Sequence, residues 1–247
     1  MHPFRLLTPD EARSQLRGKP SVLAYFGSMN RADLRARRQE DKNGYHDHYM
    51  ASFMDFDASQ RKQLEKWTRA ADALCRSHAR LARIPWKLAR QRSDVEEGLP
   101  HTLDTVIVLS DPFFAQAVDR CVETLIHEKI HVYQRMYPLY TYKLFHDVWK
   151  YAIFDVQSKF EDARSNPDLN GIVYSKNKVG FYMKYRGDAA GGLNAAAVEG
   201  VRGTTRERYE HPNERMAYEI SGLLTRPGKG LLDPEVLPTL AWMREFL

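Results

Sequence analysis

The 247-residue chain is predicted to form a mostly α-helical α+β fold, and three patterns in the sequence favour this class. Apolar residues recur every three or four positions over residues 58–81, as on the buried face of an amphipathic helix. Residues 103–111 (LDTVIVLSD) contain a β-branched run bounded by turn formers, which is typical of a strand. Residues 171–186 contain two strand-like runs around Asn177 and Lys178, which predicts a β-hairpin.

The other helices are predicted from start and stop signals. A short helix is expected to begin near Thr8, whose side chain can cap the first turn. Longer helices are predicted over three stretches that begin or end next to prolines or are rich in aromatic residues: 112–137, 139–164 and 211–224. Residues 187–200 (GDAAGGLNAAAVEG) consist mainly of small residues and are predicted to form a loop.

The composition is that of a folded protein with a sizeable core, since 43% of the residues are hydrophobic and 28% are charged. The two cysteines, Cys75 and Cys121, do not make a disulfide framework, so a reducing compartment is expected. No segment approaches the roughly 18 uninterrupted apolar residues of a membrane span, and the N-terminus lacks the apolar run of a signal peptide. These features predict an intracellular protein, cytoplasmic or nuclear, without a membrane partner.

Charge is distributed unevenly along the chain. Residues 1–92 contain 19 lysines and arginines against 10 acidic residues, whereas residues 93–247 contain 18 against 22. We therefore distinguish a basic helical N-terminal region, 1–92, from the remainder, and expect the two to form one continuous globular unit. The basic surplus is compatible with a nucleic-acid partner, although a solvated helical surface is the commoner explanation.

The strongest chemical signal is the stretch ETLIHEKIHVYQR, which places His127, Glu128 and His131 on one predicted helix. Residues four apart project from the same helix face, so both imidazoles can bind one ion, and zinc suits such ligands. Glu128 lies one position round the helix, where its carboxylate can serve as a general base without being a ligand. A hydrogen-bonded histidine pair in the core is the alternative, but burial of these groups on an apolar helix has a desolvation cost that a metal would offset.

The sequence HEKIH on a helix that follows an apolar strand resembles the zincin metallopeptidases. In that family the preceding strand lines the cleft and pairs with an extended substrate. The resemblance implies a zincin-like fold with a small sheet or hairpin, a Zn²⁺ cofactor, peptide-bond hydrolysis and a third ligand later in the chain. It makes residues 93–247 a zincin-like metal-binding region. The metzincin continuation HExxHxxGxxH is absent from HEKIHVYQRMY.

The sequence PNERMAYE resembles the Asn-Glu-x-x-Ala pattern with which gluzincins supply a glutamate ligand from a later helix. This resemblance implies Glu214 as the third ligand, with Glu219 and Glu199 as alternatives. Glu214 lies 83 positions after His131, which implies a large insertion over residues 139–203.

Gluzincins commonly stabilise the developing oxyanion with a histidine or tyrosine, and His211, Tyr218 and Tyr209 are the candidates here. Tyr218 stands where thermolysin-like members have an acidic residue that orients a histidine. Orientation of the histidines is therefore expected from another residue, with Glu219 as one candidate.

The sequence thus predicts a zinc metallopeptidase that acts on a protein or peptide substrate. Two alternatives remain: a zincin-like binding protein without catalytic activity, and a nucleic-acid-associated protease or binding protein that uses the basic region 1–92. The oligomeric state is not predicted by any of these patterns.

Overall fold

The structure is a computed structural model that describes residues 4–187, 189, 191–201, 203–226 and 236–247. It confirms a mixed α+β fold that is mostly helical. The α-helices are α1 (Pro9–Leu16), α2 (Pro20–Ser28), α3 (Arg31–Ala36), α4 (Lys42–Ala51), α5 (Ala58–Cys75), α6 (Ala79–Arg83), α7 (Asp111–Phe114), α8 (Val118–Met136), α9 (Pro138–Lys143), α10 (Pro212–Thr225) and α11 (Leu237–Phe246). The strands are β1 (Phe4–Leu6), β2 (Phe53–Met54), β3 (Trp86–Gln91), β4 (His101–Leu103), β5 (Val106–Leu109), β6 (Ala152–Val156), β7 (Ile172–Lys176), β8 (Val179–Tyr185) and β9 (Ala196–Val201).

The first sheet lies between two helical layers. Its strand order is β1-β3-β5-β4, with β2 also paired to β3; β1, β3 and β5 are parallel, and β4 runs antiparallel to β5 at the edge. Successive side chains of a strand point to opposite faces. Accordingly, Val106 and Val108 pack with α1, α2 and α4, whereas Ile107 and Leu109 pack with α5 and α8. The N-terminal region therefore supplies three strands and one whole layer of the same fold as the HExxH helix.

The second sheet is antiparallel, with the strand order β6-β7-β8-β9. It confirms the predicted hairpin, because β7 and β8 are joined at Asn177 and Lys178. Both turn residues have positive φ angles, 52° and 68°, as a two-residue hairpin turn requires. This sheet lies within the predicted insertion 139–203.

Three predicted elements before the HExxH motif differ from the structure. Residues 103–111 do not form a single strand: β4 and β5 are separate and meet at a tight turn in which Asp104 has a φ of 54°. The helix predicted over 112–137 consists of α7 and α8, which are separated by extended backbone at Ala117. Phe113 of α7 packs against Trp67 of α5, so tertiary packing explains this break, which no proline or glycine marks. The helix predicted over 58–81 ends at Cys75, and α6 follows it.

Two predictions after the motif are wrong in part. The helix over 139–164 ends after α9 and one wider turn, because residues 152–156 pair with β7 as strand β6. The loop over 187–200 includes β9, which pairs with β8 along six residues, and two of its positions, 188 and 190, lie outside the described residues. In both stretches tertiary strand pairing overrides a weak local preference.

A buried polar contact fixes the rotation of helix α8 about its own axis. Lys129 is fully buried, and its Nζ donates to Asp72 Oδ1 of α5 at 3.0 Å and lies 4.2 Å from the centre of the Trp86 ring. Trp86 Nε1 donates to the same Asp72 oxygen at 2.9 Å. This face of α8 therefore points toward α5 and β3, which leaves the histidine face to pack against α10. None of the described helices is both long and apolar enough to cross a membrane.

Candidate metal centre

The two histidines of the motif and Glu214 converge between α8 and α10. His127 Nε2 and His131 Nε2 are 3.1 Å apart. Glu214, in the first turn of α10, places one carboxylate oxygen 3.5 Å from His127 Nε2 and the other 3.6 Å from His131 Nε2. The structure therefore brings together the three residues that the sequence predicts as ligands.

The spacing of these atoms fits a small cation. Two ligands at a zinc–ligand distance of 2.0–2.1 Å and a tetrahedral angle are about 3.3 Å apart, close to the three separations in this cluster. His131 is fully buried, and the side chains of His127 and Glu214 are only 12% and 9% exposed. Neutral imidazole nitrogens and a carboxylate are also the donor types that zinc takes in His₂Glu sites.

The pKa values reflect three ionisable groups that share a small buried volume. Burial alone would lower the pKa of His127, but the hydrogen bond and charge of Glu214 outweigh it and raise the pKa to about 9. Burial lowers the pKa of His131 to about 3. Burial alone would raise the pKa of Glu214, yet the charge of His131 and the hydrogen bond from His127 lower it to about 2. Glu214 is thus ionised next to a neutral His131, as metal ligation requires, whereas His127 has to lose a proton before its Nε2 can bind a metal ion.

Glu128 lies beside this cluster and is held by strand β4. Its carboxylate is buried and accepts a hydrogen bond of 2.8 Å from Thr102 Oγ1. Burial, together with the negative charge of Asp168, raises the pKa of Glu128 to about 8. Burial and the charge of Glu214 likewise raise the pKa of Asp168 to about 6. Oxygen atoms of Glu128 and Asp168 and a nitrogen of His131 lie within 4.8 Å of one another. With this pKa Glu128 is mostly protonated at neutral pH in the metal-free protein, and a cation at the neighbouring ligands would favour the carboxylate form that accepts a proton.

The residue that orients His131 is Gln134, which the sequence analysis did not identify. His131 Nδ1 donates to Gln134 Oε1 at 2.9 Å, which leaves Nε2 to face the cluster. Gln134 Nε2 in turn donates to the backbone oxygen of Asn213 at 2.9 Å, so α10 fixes the amide. Glu219, which the sequence offered as a candidate for this role, accepts from Arg215 Nε at 2.8 Å.

The two alternative ligands are not part of the cluster. Among the described residues, the groups that could hold a metal include Glu214 but neither Glu219 nor Glu199. Glu199 belongs to β9 and accepts from Lys184 Nζ at 3.1 Å in the second sheet. The geometry therefore favours Glu214 among the three candidates.

The three candidates for oxyanion stabilisation lie in different places. The ring of Tyr218 is 4.4 Å from that of His127, and Tyr209 stacks on Tyr218 at 5.7 Å. Tyr218 is more than half exposed, and as an ordinary tyrosine its hydroxyl keeps its proton at neutral pH. His211 instead caps α10, where its Nδ1 accepts from the backbone N–H of Asn213 at 2.9 Å. Its Nε2 contacts Asn170 at 3.1 Å, so both ring nitrogens are engaged and its catalytic role stays a prediction.

A cavity of about 430 Å³ opens onto the cluster. Its lining includes His127, Glu128, Glu214 and Tyr218, together with polar residues from several distant segments: Arg37, Glu96, Arg120, Arg164, Asn166 and Asp168. A mostly charged and polar lining next to a convergent His/Glu set is suited to a polar ligand such as a peptide backbone.

The sequence analysis missed four residues of this site. Gln134 could have been found, because it lies three residues after His131 and hence on nearly the same helix face. Thr102, Asn166 and Asp168 come from separate segments, and their positions depend on tertiary packing that no local pattern encodes.

The fold and site were compared with known proteins. No protein-family model matches the chain, and no curated protein or solved structure is significantly similar to it. The function therefore has to be inferred from the site itself.

Proposed function

We propose that this protein is a zinc-dependent metallopeptidase with His127, His131 and Glu214 as ligands and Glu128 as general base. The observation that carries the proposal is the convergence of three ligand atoms at 3.1–3.6 Å with a buried glutamate of raised pKa beside them. The resemblance of HEKIH and PNERMAYE to gluzincin motifs adds support, because the two motifs meet in space.

When bound, zinc would polarise the substrate carbonyl and make water acidic enough to lose a proton near neutral pH. Glu128 accepts the proton of the attacking water and returns it to the leaving amine. The hydrogen bond from Thr102 Oγ1 keeps the Glu128 carboxylate in one orientation during both transfers. Tyr218, which lies at the cavity beside His127, is the candidate donor to the developing oxyanion.

The test is hydrolysis of an unfolded protein, fluorescein-labelled casein, by protein reconstituted with zinc. We expect activity that a chelator abolishes and added zinc restores. Glu128→Gln is expected to keep its zinc and lose about 10²–10⁴-fold in rate, since general-base catalysis contributes that much. Glu65→Gln, an exposed glutamate on α5 that pairs with Arg69, is the matched control and is expected to behave as wild type. Hydrolysis that survives Glu128→Gln would contradict the proposal.

The nucleic-acid alternative has weaker support. Several arginines of the basic region pair with acidic side chains of the same region, among them Arg5 with Glu11, Arg13 with Asp10 and Arg69 with Glu65. These pairs leave the net surplus of region 1–92 unchanged, but each engages an arginine that would otherwise be available to a phosphate group. A binding protein without catalytic activity would show zinc bound at the same ligands and no hydrolysis in the casein assay.

A further inference from the structure

The segment Ser165–Asp168 runs through the middle of the cleft. Asn166, Pro167 and Asp168 line the cavity at the metal centre, and they also line a second, more apolar cavity of about 650 Å³. The three residues therefore form the wall between the two cavities. Without them, the two cavities would be continuous.

The same segment occupies the edge of the first sheet. Strand β4 pairs with β5 on one side only, so the backbone groups on its other side are available for a further strand. The outward N–H of Thr102 donates to Asp168 Oδ1 at 2.6 Å, and the outward carbonyl of Thr102 accepts from Arg135 Nη2 at 3.0 Å. An extended peptide that adds to a sheet edge bonds to an outward N–H and an outward carbonyl of this kind.

The segment also contacts the metal centre. Asn166 Nδ2 donates to Glu214 Oε1 at 3.3 Å. An oxygen of the Asp168 carboxylate lies within 4.8 Å of a carboxylate oxygen of Glu128 and of a ring nitrogen of His131. These two side chains therefore fill space directly beside the atoms that we propose as metal ligands and as proton acceptor.

The helical layer of the N-terminal region holds Ser165–Asp168 beside β4 and the candidate ligands. The backbone N–H and the hydroxyl of Ser165 both donate to Asp33 at 2.8 Å, and Arg37 Nη2 donates to the Ser165 carbonyl at 2.8 Å. The side chains of Asp33 and Arg37 are almost completely buried and pair with each other. On the opposite side, Arg135 Nη2 donates to the Pro167 carbonyl at 2.6 Å. Side chains from two separate layers of the fold thus clamp a stretch of four residues.

We propose that Ser165–Asp168 is an inhibitory segment of the chain itself, which covers the peptide-binding edge of β4 and must be displaced before an extended peptide can bind. This inference rests on the proposed function, because it specifies how access to the same site is regulated. The clamp by Asp33 and Arg37 gives the N-terminal region a role in that regulation. The apparent affinity for a peptide is then reduced by the fraction of molecules in which the segment has left the edge.

The first arm of the test locks the segment in place. Ser28 Oγ of α2 and Ser165 Oγ lie 3.4 Å apart, so the double variant Ser28→Cys/Ser165→Cys places two thiols side by side, and loss of free thiols on oxidation verifies the disulfide. The zinc-loaded variant is assayed on fluorescein-labelled casein after oxidation and again after reduction with a phosphine that does not bind zinc. Ser28→Cys alone, treated in the same way, controls for the native cysteines, both of which are fully buried.

The second arm opens the segment. Asp168→Ala removes the acceptor that covers the Thr102 N–H. It is expected to lower KM for casein by about tenfold, the factor that loss of one hydrogen bond to a charged group supplies. Asp162→Ala is the matched control, because Asp162 precedes the segment but bonds to Tyr182 of the second sheet.

The outcomes separate the two proposals. Loss of hydrolysis on oxidation, recovery on reduction and a lower KM for Asp168→Ala, all at unchanged zinc content, would support the inhibitory segment. Equal rates in the oxidised and reduced double variant would overturn it and leave the peptidase proposal standing. No hydrolysis by any form, including zinc-loaded Asp168→Ala, would overturn both.

Discussion

Two buried polar clusters in this protein differ in how their charges are balanced. The arginine cluster lies in the N-terminal layer, where Arg37 donates to Asp33 at 3.1 Å and to Glu96 at 2.8 Å. Tyr25 and Tyr45 also donate to Glu96. Burial alone would raise the pKa of Glu96, but Arg37 outweighs it and lowers the pKa to about 2. This cluster contains its own cation and its own donors.

The metal cluster, in contrast, contains convergent carboxylates whose cationic partner in the metal-free protein is a histidine, His127, with a pKa of about 9 because Glu214 outweighs the effect of burial. It comprises His127, Glu128, His131, Asp168 and Glu214. Within the described part of the chain, no lysine or arginine forms an ion pair with its three carboxylates. The nearby Arg135 donates to the backbone carbonyls of His131, Thr102 and Pro167 instead. Loss of the cation from a permanent ion pair leaves a buried charge uncompensated, whereas a histidine can exchange its proton for the metal ion that we propose.

The largest expected difference between the clusters is in stability without metal. Arg37→Met leaves Asp33 and Glu96 buried without a cation, so we expect a loss of about 3–5 kcal/mol in the free energy of unfolding. Glu128→Gln removes a carboxyl group whose pKa burial has raised to about 8, so it is expected to stabilise the metal-free protein at neutral pH. Urea denaturation of the chelator-treated variants measures both effects. Equal destabilisation by the two substitutions would remove the distinction between the clusters.

Zinc should stabilise the folded protein through the metal cluster and not through the arginine cluster. At 100 to 1,000 times its dissociation constant, zinc is expected to stabilise the wild-type protein by about 3–4 kcal/mol, because it binds the folded state. His131→Ala should abolish this gain. His146→Ala, a half-exposed histidine outside both clusters, should retain it. Thermal unfolding with and without zinc provides the measurement, and an unchanged zinc effect in His131→Ala would show that the ion binds elsewhere.

The arginine cluster should control stability in acid. The pKa of Glu96 is lower in the folded protein, about 2, than its ordinary value of 4.5, so its contribution is present above pH 4.5 and is lost as the pH falls toward 2. This contribution amounts to about 3 kcal/mol for a depression of that size. Glu96→Gln is expected to flatten the stability profile over this window relative to wild type. Parallel profiles for the two proteins would indicate that Arg37 does not stabilise the ionised carboxylate.

A smaller effect, on zinc affinity, is expected from substitution of Gln134, which orients His131. Gln134→Leu removes the acceptor for His131 Nδ1 while it keeps the side chain's bulk. Zinc affinity should fall by about 10–100-fold, as for other outer-shell partners of histidine ligands. Competition with a chromophoric chelator measures the affinity. A variant with wild-type affinity would mean that packing alone holds the His131 ring.

Most of the candidate metal centre could be proposed from the sequence because much of its geometry is local. A spacing of four on one helix is enough to place His127 and His131 on the same face, and Glu128 follows from its position between them. Glu214 could be proposed only through a family pattern, since nothing local links α10 to α8. The inhibitory segment could not be predicted at all, because Asp168 reaches Thr102 through the packing of three layers.

The fold was predictable where periodicity was strong, as in α5, α10 and the hairpin of β7 and β8. It was not predictable where a segment's partner decided its structure. Residues 152–156 and 196–201 are edge strands of the second sheet, and their sequences alone favoured a helix and a loop. The separation of α7 from α8 likewise depends on Phe113 packing against Trp67.

The most direct test of the metal centre is the zinc content of purified Glu214→Ala compared with Glu219→Ala. The two glutamates lie on the same helix, but Glu214 faces the histidines and Glu219 pairs with Arg215. We expect about one zinc per chain in the wild type and in Glu219→Ala, and none in Glu214→Ala. Zinc retained at full stoichiometry in Glu214→Ala would contradict the His127–His131–Glu214 centre.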